Sequence, residues 1–172
     1  MIKIFVASSS ELQAERQALA GCVLLLNRWL VDRGEEERVA LEKWEYLDSS
    51  MGVDHKQEEY NRALRDCDAV MALFWRKFGE YTEVEFQTAL AERRRGGRVR
   101  RVEVWFKGES GEETAELGAF RERAERMPGV GGGRFVDVSE LKRAFVVLSL
   151  ELLEDEGIPM PDEAEREKYG LA

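Results

Sequence analysis

The run Ala69-Val70-Met71-Ala72-Leu73-Phe74-Trp75 is uncharged throughout. It is followed by Arg76-Lys77-Phe78-Gly79, and then by Glu80-Tyr81-Thr82-Glu83-Val84-Glu85-Phe86. A short, continuously apolar run ending in a glycine-bearing turn reads as a strand covered on both faces, which is how strands of a parallel sheet look. The residues after the turn take up helical spacing, so the stretch reads as strand, loop and helix. One such unit implies an α/β domain, provided that others flank it.

Others do. Short runs rich in β-branched and aromatic residues occupy 2–7, 39–45, 101–106 and 134–138, and segments of helical period separate them. Five strands alternating with helices predict a parallel sheet with helices on both faces, in which the first, third and fourth strands are central. Between the first two runs, Leu12, Leu19, Cys22, Val23, Leu26, Trp29 and Leu30 form one apolar stripe of a long helix. Glu15 falls on that stripe. Carboxylates are seldom buried without a partner, and a backbone amide or an arginine is expected there. Further helices are expected over 57–65, 82–95, 112–126 and 139–154, the last apolar on Leu141, Phe145, Leu148 and Leu152. Residues 128–133, with glycine at four of six positions, read as a flexible connection, because no Gly-Lys-Ser/Thr ending makes them a phosphate loop.

The chain of 172 residues suits one domain, expected over 1–156, and residues 157–172 read as a charged tail or linker. With 35 acidic and 26 basic residues, the net charge of −9 argues against a nucleic-acid-binding module, which needs a basic face. The single basic cluster, Arg93 to Arg101, reads as a solvated helix end and turn. No stretch approaches the apolar length of a membrane span, and Met1 to Ala7 has no cleavage-site pattern, so a cytoplasmic protein is expected. Cys22 and Cys67 lack metal-ligand spacing and read as buried thiols. His55 is the only histidine, which leaves little basis for a Ser-His-Asp triad.

In a doubly wound sheet, ligands bind beyond the carboxyl ends of the strands where strand order reverses. The loop after the first strand supplies Ser8, Ser9 and Ser10, whose hydroxyls and free amides suit a ribose or phosphate. They also fit a capping box, through Ser8 with Glu11 or Ser10 with Gln13. The loop after the third strand supplies Trp75, Phe78 and Tyr81, flat surfaces for a base, beside Glu80, Glu83 and Glu85, carboxylates for a sugar. Here too a structural role is available, because Thr82 with Glu85 three residues later matches a capping box. Trp29 and Trp44 read as packing residues, although Trp44-Glu45-Tyr46 is placed to border the same pocket.

Two segments carry a resemblance. Ile4-Phe5-Val6-Ala7-Ser8-Ser9-Ser10-Glu11-Leu12-Gln13-Ala14-Glu15-Arg16 resembles the Phe-Val-x-Ser-Ser/Thr and Leu-x-x-Glu-Arg signature of bacterial Toll/interleukin-receptor-like (TIR-like) domains. Asp66-Cys67-Asp68, the apolar strand, the aromatic-glycine turn and Thr82-Glu83-Val84-Glu85-Phe86 are similar to the segment in which TIR-type enzymes carry their glutamate. That segment also resembles the glutamate turn of nucleoside 2-deoxyribosyltransferases. The usual Ser-x-Trp-Cys-x-x-Glu pattern is incomplete: the Trp-Cys pair is absent and Thr82 stands for the serine.

The resemblance implies a flavodoxin-like, TIR-type three-layer sandwich, with a five-stranded parallel sheet in the order 2-1-3-4-5. It implies cleavage of the nicotinamide-ribosyl bond of NAD, with Glu85 as the catalytic carboxylate and Glu83 as the fallback. Ser8, Ser9, Phe78, Tyr81 and Thr82 then bind substrate, and no cofactor beyond NAD as substrate is called for. It further implies a bacterial defence effector that becomes active on homo-oligomeric self-assembly. A non-catalytic interaction module, a nucleotide sensor and a deoxyribosyltransferase are the alternatives.

Overall fold

The computed structural model describes residues 1–42, 53–76, 78, 80–109 and 112–172, with the backbone alone at residues 10, 53–57, 80 and 81. The strands are β1 (Ile2–Ser8), β2 (Val39–Glu42), β3 (Ala69–Phe74), β4 (Arg101–Lys107) and β5 (Val130–Phe135). The helices are α1 (Gln13–Asp32), α2 (Val53–Arg65), α3 (Glu80–Arg94), α4 (Ala115–Glu125), α5 (Val138–Asp155) and α6 (Glu163–Tyr169). All pairings are parallel and the strand order is 2-1-3-4-5, the flavodoxin-like arrangement expected from the sequence. The second strand was expected to reach residue 45; residues 43–45, and with them Trp44-Glu45-Tyr46, lie outside the described residues.

Alternation along β1 sorts two cores. Ile2, Ile4 and Val6 pack with Leu19, Leu26 and Trp29 of α1 and with Leu141, Phe145 and Leu148 of α5. Phe5 and Ala7 point to the other face, where Leu64 of α2, Phe86 and Ala89 of α3 and Phe120 of α4 meet Val70, Ala72 and Phe74. β3 is buried at every position, which its uncharged run requires. Cys22 and Cys67 are free buried thiols, and burial pushes Cys67 up to about 12.

Among the described residues Glu15 has neither a backbone amide nor an arginine as hydrogen-bond partner. It accepts from Lys107 Nζ at 2.5 Å, and that ammonium lies 4.1 Å from the centroid of the Trp75 ring. Part of the arginine cluster is similarly engaged: Arg98 and Arg100 pair with Asp68 at 3.0 and 3.4 Å, and Asp68 also accepts from the Lys3 amide. This cluster closes the amino edge of the sheet, the end remote from the carboxyl-edge loops.

The fifth strand starts at Val130, earlier than the expected 134, so the glycines read as a connection are strand. The cause lies on β4. Gly131 and Gly133 stand in register with Glu103 and Trp105, and a Cβ on Gly133 would meet the Trp105 ring at 3.4 Å. Gly132 has φ +126, and a Cβ there would run into the Val104 carbonyl. Bulky β4 side chains thus fill the space that side chains of β5 would take.

Residues 157–172, expected as a tail or linker, fold back on α1. Asp162 and Glu165 form a capping box that starts α6, Tyr169 Oη donates to Asp32 at 2.7 Å, and Ile158, Tyr169 and Leu171 are buried. A few well-spaced apolar residues suffice to dock a segment that is charged on average.

Candidate active site at the carboxyl edge of the sheet

Connections from β1 to the edge strand β2 and from β3 to β4 run in opposite directions across the sheet, so β1 and β3 flank its switch point. Ser8, the last residue of β1, is in register with Leu73 near the end of β3. Both loops named from the sequence therefore open on one crevice edge.

After β1 the chain makes a 3-10 turn, Ser10–Leu12, before α1. Leu12 is the N-cap residue and makes no side-chain capping bond, and the side chain of Ser10 lies outside the described residues. Arg16 organises the turn. From the first turn of α1, Arg16 Nη1 donates to Ser8 Oγ at 2.6 Å, to the Ser8 carbonyl at 3.0 Å and to the Ser9 carbonyl at 3.2 Å. Arg16 and Ser8 are both buried, at 5% and 8% exposure. A guanidinium only donates, so Ser8 Oγ accepts here and its own proton remains available to another group.

α3 begins at Glu80, two residues before the threonine that was expected to cap it. Thr82 and Glu85 consequently lie inside the helix, and the predicted Thr82–Glu85 capping box does not form. Both are buried, at 3% and 6% exposure, against the sheet. Among the described residues Glu85 makes no hydrogen bond and no ion pair. Burying a carboxyl in this way is expensive, and such groups concentrate at functional sites.

Burial pushes the Glu85 carboxyl up to about 7, while the Arg16 guanidinium nearby holds it down from a still higher value. Tyr60, on α2, is raised by its own burial and by the negative charge of Glu85. A group titrating near neutrality can serve either as a carboxylate facing positive charge or as a proton carrier.

Glu83 does not join this cluster. Two residues from Glu85, it turns to the opposite side of α3 and lines a shallow surface depression of ≈ 330 Å³ with Arg65, Val84, Gln87, Thr88 and Arg95. Phe78 is half-buried, with its ring 5.0 Å from that of Phe120 and 6.1 Å from that of Phe74, so much of its surface serves the aromatic core. Ser9 contributes its carbonyl to Arg16. The side chain of Tyr81, like Lys77 and Gly79, lies outside the described residues.

Sequence reading overlooked two members of the cluster. Arg16 follows Leu12 by four residues and precedes Leu19 by three, so it shares their stripe; a charged residue there was the available signal. Tyr60 gives no comparable sign, since nothing in the pattern of α2 separates it from an ordinary half-buried tyrosine. Among the described residues no group of three or more His, Cys, Asp and Glu side chains is arranged to hold a metal ion. No helix among them is long and apolar enough to cross a membrane.

The fold and the site together define a flavodoxin-like α/β domain with an unpartnered, buried carboxyl at its switch point. No protein-family model matches the chain, and no curated protein matches it.

Proposed function

We propose that this domain is a TIR-like enzyme that cleaves the nicotinamide-ribosyl bond of NAD, with Glu85 as its catalytic carboxylate. The observation that carries the reading is a glutamate 6% exposed, without hydrogen bond or ion pair among the described residues, at the switch point of the sheet. An unpartnered carboxylate in a dry site favours a cationic ligand, and the pyridinium end of NAD is one. When the bond between the ribose anomeric carbon and the ring nitrogen breaks, its electron pair leaves with nicotinamide, which becomes neutral. No acid is needed to protonate the leaving group. The positive charge passes to the ribosyl oxocarbenium ion, which the Glu85 carboxylate stabilises or attacks, and water completes the hydrolysis with loss of a proton.

In this reading Ser8 and Thr82 serve as hydroxyl donors to the sugar, and Ser9, Phe78 and Tyr81 complete the substrate-binding set. Assembly of several copies brings the site to full activity, as the resemblance to TIR-like defence effectors implies. The test is incubation of concentrated protein with NAD, with and without a crowding agent, followed by chromatography. Nicotinamide release that Glu85→Gln abolishes is expected; equal release by that variant would refute the assignment.

A further inference from the structure

At the amino edge of the sheet, the last turns of α3, the turn after α4 and the start of β5 enclose a cavity of ≈ 270 Å³. It is lined by Leu90, Arg93, Arg94, Met127, Pro128 and Val130. Leu90 is buried, and the half-buried Met127 and Val130 pack against the same core, so the floor of the cavity opens onto that core. Its rim carries two guanidinium groups and no carboxylate. We propose that this cavity binds a small apolar monocarboxylate, its tail against Leu90, Met127, Pro128 and Val130 and its carboxylate on Arg93 and Arg94.

Charge decides the class of ligand. Four other arginines of the same cluster are paired with carboxylates: Arg95 with Glu92 at 3.5 Å, Arg98 with Asp68 at 3.0 Å, Arg100 with Asp68 at 3.4 Å and Arg101 with Asp155 at 3.1 Å. Arg93 and Arg94, the two that line the cavity, have no carboxylate partner among the described residues, although the chain carries a net charge of −9. Arg93 is nonetheless held in place. Its Nη1 donates to the Gly129 carbonyl, and Gly129, with φ +74, has no Cβ to run into the guanidinium. A guanidinium has five N–H donors, so this bond leaves others for a ligand. Arg94 is exposed, and its planar fork matches the two oxygens of a carboxylate. The volume lies just under the about 300 Å³ at which pockets for drug-sized ligands begin, which suits a small molecule rather than a segment of protein. Glu85 stands toward the other end of α3, so this ligand is separate from the substrate proposed above.

The test is a titration of the full chain, with carbon-13-labelled methionine methyl groups, by hexanoate as the probe and hexanol as its uncharged counterpart. Met127→Leu assigns the Met127 signal. Hexanoate is expected to shift that signal saturably, and hexanol to bind at least about tenfold more weakly, because it lacks the charge-assisted hydrogen bonds. The double variant Arg93→Gln, Arg94→Gln is expected to lose that preference. Should it not fold, Arg94→Gln, altered only at an exposed side chain, is expected to reduce it. No saturable shift of the Met127 signal, or equal binding of the two probes by the parent, would overturn the proposal. So would an undiminished preference for hexanoate in the double variant, or in Arg94→Gln where that variant alone folds. Glu85→Gln is expected to leave the titration unchanged, and the result is independent of whether NAD is a substrate.

Discussion

Arg16 Nη1 and Ser8 Oγ lie 2.6 Å apart in the interior, and that bond commits the serine oxygen as an acceptor. The hydroxyl proton and one further lone pair are left for a ligand. Ser8→Ala removes the acceptor but keeps both carbonyl bonds of Arg16, so the fold survives. A hydrogen bond to a charged group contributes about 1.5–3 kcal/mol, and urea unfolding of Ser8→Ala is expected to show a loss of that order. A loss too small to measure would mean that the two carbonyls alone hold Arg16.

The protonation of Glu85 sets the pH dependence of turnover. Stabilising or attacking an oxocarbenium ion requires the charged form, and burial raises the carboxyl to about 7. The value of kcat/KM for NAD is expected to rise through the acid range and level off above about pH 7. A profile that falls across the same range would assign Glu85 the role of proton donor.

Stability should run the opposite way. The unfolded carboxyl titrates near 4.5 and the folded one near 7, so between these values the folded chain binds the additional proton. Stability therefore declines as pH rises through this window; the burial cost is absent below about 4.5 and fully present above about 7. Its size is on the order of 3 kcal/mol. Glu85→Gln removes the ionisation, so its stability relative to the parent should be greater at pH 8 than at pH 4.5 by up to roughly that amount. Urea unfolding of both proteins at the two pH values measures this difference. An equal difference at both would show that Glu85 is not desolvated in solution.

Gly132 tests the account of the fifth strand. Its φ of +126 is disfavoured for any L side chain, and a Cβ would strike the Val104 carbonyl. Gly132→Ala is expected to cost more than about 2 kcal/mol, because backbone strain and a clash combine. Gly21, in α1 with open space around its Cβ position, is the control: Gly21→Ala should stabilise the chain by about 0.5–1 kcal/mol.

Legibility from sequence followed burial. β1 and β3 declared themselves because strands covered on both faces must be apolar nearly throughout, and the strand order followed from the resemblance of the loops around them. β5 was hidden because its glycines answer to Trp105 and Glu103 on a neighbouring strand, a dependence that no local pattern carries. Around the candidate site, the turn after β1 and a helix carrying Glu85 after β3 were legible as elements. The start of α3 was misplaced by two residues, which made a buried threonine look like a cap. Arg16 was missed because the helical stripe was traced through apolar residues alone, and the charge within it was passed over in favour of Glu15. Glu15 proved to answer to Lys107, a partner 92 residues away.

The most direct test of the central claim is nicotinamide release from NAD measured side by side for the parent protein, Glu83→Gln and Glu85→Gln at pH 8, each at the concentration where the parent is most active. The account predicts release by the parent, release within about threefold of it by Glu83→Gln, and loss of at least about a hundredfold in Glu85→Gln. Release by Glu85→Gln at the parent rate, or no release by any of the three with and without a crowding agent, would contradict it.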